Sequence, residues 1–451
     1  MIKSSSKITT QELVELFCQK EDIAQSILYV SKIDLFFLYD NTKGYYKLLS
    51  LYDLEKNIYR FISNNTSKNM SVFMVKDFIG QLKYTLYNII PDMDFNYLAI
   101  NNLKCVNVNT LKIEDNAQSK SCFHWVDCDA EKFGEYDETK IERWLQFLDE
   151  VIVTEDMEPD KKLQDLIQEM MGYYLLNTTE AHVVFFCTGK GRNGKSVLLD
   201  LMRTMIGEEH CEAMSVETMT TDQFAVAGLV GKKMNICSED ESKFVKSDKF
   251  KAMVGGDHIS VRRIYGSRFM WKPTVNYLFS TNDMPAFSGY NKALTERIII
   301  IPFNRYFKAY ERDTKLTQKL MNELGGIILW ALVGAKRLKE NKFKFTKTAQ
   351  TDITAQEFQQ NISASVLFFN ENYEKDENSF VSNIELYEDY KIWAEVKGKK
   401  KQSYYVFIKD IETLTDLKTT LGKNSDHMTA EGKRVRRKVL MEPNLLERIK
   451  Y

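Results

Sequence analysis

Residues 182–202 read His182-Val183-Val184-Phe185-Phe186-Cys187-Thr188-Gly189-Lys190-Gly191-Arg192-Asn193-Gly194-Lys195-Ser196-Val197-Leu198-Leu199-Asp200-Leu201-Met202. The first six are an apolar run of strand length, and the last six have the spacing of a helix face. Between them, Gly189 to Ser196 fits G-x-x-x-x-G-K-[ST], the phosphate-binding loop pattern. Glycines let backbone N–H groups curl around a phosphate that side chains would block. Lys195 then puts a positive charge on the β- and γ-phosphates, and Ser196 offers a hydroxyl to Mg²⁺. The helix begins there and points its positive end at the anion. Gly189, Gly191, Arg192, Asn193, Gly194, Lys195 and Ser196 are therefore expected to hold a nucleotide, read as ATP with Mg²⁺.

Working outward, more short apolar runs occupy Met234 to Cys237, Val275 to Ser280 and Arg297 to Phe303. Strands alternating with helices predict an α/β domain with a largely parallel sheet. The run to Ser238 ends in Glu239-Asp240-Glu241. Carboxylates at a neighbouring strand end are where a P-loop enzyme holds Mg²⁺ and polarises attacking water. Glu239 takes the metal or base role with Asp240 as its partner, the two roles undivided. The next run ends at Asn282-Asp283, where an amide can orient water as a sensor, although both residues also favour turns. Arg297 opens the last strand. It is read as a finger reaching a neighbouring subunit's γ-phosphate, with a structural ion pair as the competing reading.

The 451 residues carry 62 Lys+Arg and 63 Asp+Glu, a net charge of −1. The ordinary apolar fraction and the length exclude a small disulfide scaffold, and no apolar run is long enough for a membrane span. Seven scattered cysteines form no CxxC pair and read as reduced thiols of a cytoplasmic protein. Cys122, His124 and Cys128 lie close together, but not at a standard zinc spacing. The N-terminal stretch has no signal-peptide core and reads as a helix capped by Thr9 with Glu12.

Charge is uneven. Residues 397–451 carry 14 Lys+Arg against 7 Asp+Glu, leaving −8 on residues 1–396. Lys397, Lys399, Lys400 and Lys401 form one basic cluster, and Lys433, Arg434, Arg436, Arg437 and Lys438 form another. Ser382 to Glu385 starts one helix and Ser403 a second across a tight basic turn, a helix-turn-helix candidate. Gly432 to Met441 alternates as a wing strand. Together these predict a DNA-binding winged helix.

The ordered set resembles the superfamily-three helicases, of the poxvirus and phage primase-helicase type. The nearest likeness is to replication initiators of staphylococcal mobile islands. It rests on Gln168 to Leu175 before the loop, the Asn193-containing loop, Ser238-Glu239, Asn282, Arg297 and Gly325 to Gly334, roughly residues 100–339. The resemblance implies a homo-hexameric ring with ATP sites between subunits and single-stranded DNA through the centre. His258 to Pro273 reads as a hairpin about Tyr265-Gly266-Ser267. In that family such a hairpin grips DNA in the channel, here with Arg262, Arg263, Arg268 and a stacking Tyr265. Residues 1–145 are short for a primase and lack an obvious carboxylate-and-histidine cluster, so priming is assigned to a separate primase.

The domain reading is an N-terminal α+β domain (1–150), a P-loop ATPase core (151–310), a helical extension (311–375) and a winged helix (376–451). The functional expectation is an ATP-driven DNA helicase that binds the replication origin of a mobile element and opens duplex DNA. The rival is a DNA-binding initiator or repressor in which ATP only controls assembly. A small-molecule kinase is disfavoured by the basic tail and the hairpin.

Overall fold

The computed structural model describes residues 8–20, 24, 26–31, 34–65, 71–86, 97–116, 118–129, 137–176, 178–242, 244–264, 268–288, 292–361, 364–375, 381–399, 401–415, 418–428, 434–441 and 446–448. Helix α1 (Thr10–Lys20) opens with a reciprocal cap, Thr9 N donating to Glu12 Oε2 at 2.8 Å and Glu12 N to Thr9 Oγ1 at 3.2 Å. Strands β1 (Ile27–Val30), β2 (Leu35–Asp40) and β3 (Tyr45–Leu49) form an antiparallel sheet, with β2 and β3 joined as a hairpin. Helices α2 (Leu51–Asn65) and α3 (Val72–Thr85) join α1 over it, burying Phe17, Leu54, Ile58, Phe61 and Phe78. Strands β4 (Tyr97–Ile100), β5 (Lys104–Asn107) and β6 (Ile113–Asp115) form a second antiparallel sheet.

Helices α4 (Glu142–Val151) and α5 (Lys161–Leu175) lead to β7 (Val184–Thr188), the phosphate loop and α6 (Lys195–Ile206). Then come β8 (Cys211–Glu212), α7 (Val216–Thr221), β9 (Met234–Cys237), β10 (Phe244–Lys246) and α8 (Ser247–Gly255). The hairpin strands β11 (Ile259–Arg262) and β12 (Arg268–Trp271) precede β13 (Asn276–Thr281), β14 (Ala286–Ser288), α9 (Lys292–Thr295) and β15 (Ile298–Pro302). The central sheet is five-stranded in the order β15-β7-β13-β9-β8, and every pair in it is parallel. It is buried on both faces, as a parallel sheet must be. Phe185, Cys187, Ile236, Leu278 and Ile301 face one core, while Val184, Phe186, Cys237, Phe279 and Ile300 face the other. That alternation is the period of two along each strand.

The segment after Phe303 forms a short 3-10 turn at Ala309–Glu311 but no α-helix before Leu316. Its backbone is used elsewhere: Phe303 N donates to Thr188 O at 2.8 Å and Phe307 N to Arg192 O at 2.9 Å. Helices α10 (Leu316–Asn322) and α11 (Leu324–Glu340) follow. The two stretches singled out by resemblance, in α5 and α11, are each other's packing partners. A Cβ on Gly172 would lie 2.2 Å from Ala331 O, and one on Gly334 would lie 2.4 Å from Gln168 O. Only glycine permits so close a crossing. Buried Glu169 accepts from Arg337 Nε at 2.8 Å and Thr346 N at 2.7 Å, locking the crossing.

Helices α12 (Ala349–Asn361), α13 (Ala364–Asn372), α14 (Asn383–Val396) and α15 (Tyr404–Thr415) complete the helical part. Phe368, Tyr390 and Phe407 join the last three in one core. Strand β16 (Tyr373–Lys375) pairs with β20 (Leu446–Arg448), and β17 (Val381–Ser382), β18 (Lys418–Met428) and β19 (Arg434–Met441) form an antiparallel sheet in the order β17-β19-β18. Among the described residues no helix is long and apolar enough to cross a membrane.

Candidate nucleotide site

In an open parallel sheet, ligands bind beyond the carboxyl ends of the strands. Thr188 at the end of β7 pairs with Thr281 at the end of β13, and Cys237 at the end of β9 pairs with Phe279. The phosphate loop, Glu239, Asp240 and Asn282 therefore leave the sheet at one edge. Lys195 is buried, with its Nζ on the Gly189 carbonyl and 3.5 Å from Asn282 Oδ1. Burial pushes its ammonium below the usual lysine range, because no carboxylate compensates the charge there. An arriving phosphate would supply that compensation.

Each glycine-to-lysine position has a local cause. Gly194 caps α6 at φ 92°, and a Cβ on it would lie 2.7 Å from Val151 Cγ1. A side chain is thus excluded by backbone and by neighbour alike. Asn193 is buried and donates from Nδ2 to Phe303 O at 3.3 Å. Its amide braces the loop against the strand β15 exit. Arg192, at φ 55°, donates from Nη1 to Tyr306 Oη at 3.1 Å.

The two acidic residues differ. Glu239 is exposed. Asp240 is buried; its N donates to Ser280 O at 2.7 Å, and its Oδ1 accepts from Ser242 N at 3.1 Å. Among the described residues its buried Oδ2 has no hydrogen-bond partner, and burial raises its carboxyl above the usual range. Ser196, Glu239 and Asp240 are the oxygen donors at this edge, a donor set that suits Mg²⁺. Arg203 on α6, which the sequence reading passed over, donates to Ile236 O and lies 3.3 Å from Ser238 Oγ, fixing the end of β9.

Arg297 lies at the other edge. It precedes β15, whose first residue, Ile298, pairs with Val184, and Val184 N donates to Arg297 O at 2.8 Å. The phosphate loop begins a strand-length away, about 16 Å at ~3.3 Å per residue. No carboxylate lies within ion-pair distance of Arg297 among the described residues; Nη1 donates to Ala293 O at 2.6 Å and Nε is buried without an acceptor.

Beside the loop a cleft of about 800 Å³ opens between α4, the start of α6 and residues 305–319. Phe147, Val151, Val197, Phe307 and Leu316 give it apolar walls, and Arg143, Gln146 and Glu150 a polar rim. Arg143 pairs with Glu150 at 3.2 Å, Arg305 with Glu311 at 2.8 Å and Lys319 with Asp313 at 2.7 Å. A cleft with apolar walls and a charged rim, opening directly onto a phosphate loop, fits a nucleobase and ribose. The sequence reading missed these lining residues, because an amphipathic helix face looks the same whether it meets a core or a ligand.

The expected DNA contacts are scattered. Arg262 and Arg268 are exposed and face each other across the β11–β12 register. Arg262 lies over the Phe224 ring at 5.7 Å and Arg263 over Phe269 at 5.1 Å. Tyr265, Lys400 and Lys433 lie outside the described residues. Lys399 is exposed, Lys401 pairs with Glu395 at 2.7 Å, and Arg434, Arg436 and Arg437 belong to β19. Cys122, His124 and Cys128 do not converge: Cys122 Sγ is 3.5 Å from Asn116 Oδ1, and His124 Nδ1 is 2.7 Å from Lys233 Nζ.

Residues 187–297 match a family of unknown function, DUF5906. Over 171 residues the chain is 26% identical to "Putative helicase L207/L206" of Acanthamoeba polyphaga mimivirus, covering 36% of this chain and 18% of that protein. Over 255 residues it is 25% identical to "Putative helicase 121R" of Invertebrate iridescent virus 3, covering 49% of this chain and 27% of that protein. The chain thus spans less than a third of the curated relatives it matches. The apo structure of the NrS-1 C terminal region aligns over 97% of this chain and 100% of that chain, with a TM-score of 0.45 and 12% identity. The chain is accordingly a distant relative of proteins of large DNA viruses that are named as helicases.

Proposed function

We propose that this chain is an ATP-dependent DNA helicase and replication initiator of a mobile genetic element, acting as a homo-hexamer. One observation carries the reading. Lys195, Glu239 and Asn282 share one edge of the sheet, while Arg297 sits about a strand-length away at the other. Such a site is completed only when a second subunit brings its own Arg297 to the first subunit's phosphate loop.

In this reading ATP lies with its phosphates on the backbone of Gly189 to Gly194 and its base in the cleft against Phe147 and Phe307. Lys195 neutralises the β- and γ-phosphates. Ser196 with Glu239 and Asp240 would hold Mg²⁺, which supplies charge neutralisation at the transferring phosphoryl group. Exposed Glu239 accepts the proton of the attacking water, and Asn282 orients that water. Arg297 of the neighbour stabilises charge developing on the γ-phosphate. Residues 151–310 form the motor, 311–375 its helical extension, 376–451 the origin-choosing winged helix and 1–150 an accessory domain, with primers made by a separate primase. The β11–β12 hairpin grips single-stranded DNA through Arg262, Arg263, Tyr265 and Arg268. The basic clusters at Lys399 to Lys401 and Lys433 to Arg437 hold origin duplex.

ATPase activity measured with and without single-stranded DNA, beside strand displacement on forked duplex, tests this reading. Stimulated turnover with unwinding is the expected result. Turnover without unwinding favours the rival initiator in which ATP only controls assembly.

A further inference from the structure

Cys105 on β5 and Cys122, 17 residues later, occupy one small buried cluster with Tyr45 and Ala99. Cys105 Sγ donates to the Glu114 carbonyl at 3.7 Å, on the segment that also carries Asn116. Lys120 Nζ lies 3.5 Å from Cys105 Sγ, and Cys122 Sγ lies 3.5 Å from Asn116 Oδ1. An ammonium on one sulfur, with a second thiol in the same small cluster, is the setting of a nucleophilic cysteine with a resolving partner. We propose that Cys105 and Cys122 are a peroxide-reactive dithiol that closes reversibly to a disulfide.

The contact with Cys122, together with the Lys120 charge, holds the Cys105 thiol below the usual cysteine range, whereas the Cys122 thiol is raised. Cys18, Cys187, Cys211 and Cys237 are all raised by burial. Both thiols of the pair are buried, and the neighbouring Lys120 side chain is 21% exposed. In the first step the Cys105 thiolate attacks one oxygen of hydrogen peroxide, giving a sulfenic acid and hydroxide. In the second the Cys122 sulfur attacks the Cys105 sulfur; the S–O bond breaks, and the oxygen leaves as water with the Cys122 proton. Two thiols and one peroxide become one disulfide and two waters. The disulfide also removes Cys105 from Lys120 and Cys122 from Asn116, whose Nδ2 donates to Gly44 O at 2.6 Å, so oxidation loosens the junction between the two N-terminal sheets.

The experiment treats the full-length protein with hydrogen peroxide, quenches it by alkylation and maps peptides by mass spectrometry. The expected product is a Cys105–Cys122 disulfide, reversed by dithiothreitol, formed about tenfold or more faster than oxidation of half-buried Cys18, following the thiolate fractions. Cys122→Ala should trap Cys105 as a sulfenic acid captured by dimedone. Oxidation of Cys18 ahead of the pair in the unaltered protein overturns the proposal. So does consumption of Cys105 without a link to Cys122.

Discussion

The amide of Val184 donates to the carbonyl of Arg297 at 2.8 Å. Val184 begins the strand whose far end becomes the phosphate loop, so this bond fixes Arg297 at the end of the sheet away from that loop. In the proposed reading, a finger so placed serves a neighbouring subunit. The parallel order β15-β7-β13 makes the placement unavoidable, since a parallel neighbour puts first residue beside first residue.

Two glycines separate packing from propensity. Gly334→Ala drives a Cβ to 2.4 Å from the Gln168 carbonyl and should destabilise by about 3 kcal/mol. Gly80→Ala, in α3 with nothing within 4 Å of the added Cβ, should stabilise by about 0.5–1 kcal/mol. Urea unfolding of both variants measures the difference in sign.

The cleft wall is tested at Phe307, which is half-buried rather than part of the core. Phe307→Ala should weaken ATP binding about tenfold through the lost stacking surface, with kcat nearly unchanged because no reacting atom is touched. Titration with a fluorescent ATP analogue, alongside steady-state kinetics, reads the two effects apart.

Much of this was legible before any coordinates. The strand, loop and helix around Lys195 are local, and strand ends carrying Glu239 and Asn282 follow from short apolar runs. The capping box at Thr9 is equally local. What escaped was what only strand order and long-range packing decide. Phe147 and Val151 lie on α4, and nothing in the spacing says that they press on Gly194. Arg297 reads as the mouth of a strand, but its distance from the phosphate loop needs the knowledge that β15 lies beside β7. Cys105 and Cys122 read as scattered thiols, because only the packing of the chain after β6 back onto β5 puts them in one cluster, 17 residues apart.

A pH dependence resides at the junction of N-terminal region and core. Lys233 Nζ is buried on His124 Nδ1 and the Leu175 carbonyl, and burial pushes its ammonium down to about 7. Between that value and the ordinary lysine range the unfolded chain holds the proton and the folded chain does not. Stability should therefore rise with pH from about 7 towards 10 on this account. Lys233→Met removes the titrating group and should flatten the slope, as read from denaturation midpoints across that window.

The central claim is a hydrolytic site shared between subunits, and mixing two inactive variants tests it most directly. Lys195→Ala lacks the phosphate charge and Arg297→Ala lacks the finger, so each alone should lose at least about a thousandfold in turnover. Arg297→Ala should still bind ATP. Rings assembled from both, with mixing verified by native mass spectrometry, contain interfaces where an intact loop meets an intact Arg297. The account predicts that ATPase activity returns in proportion to those interfaces. Verified mixed rings that stay inactive, or Arg297→Ala subunits with full activity, contradict it.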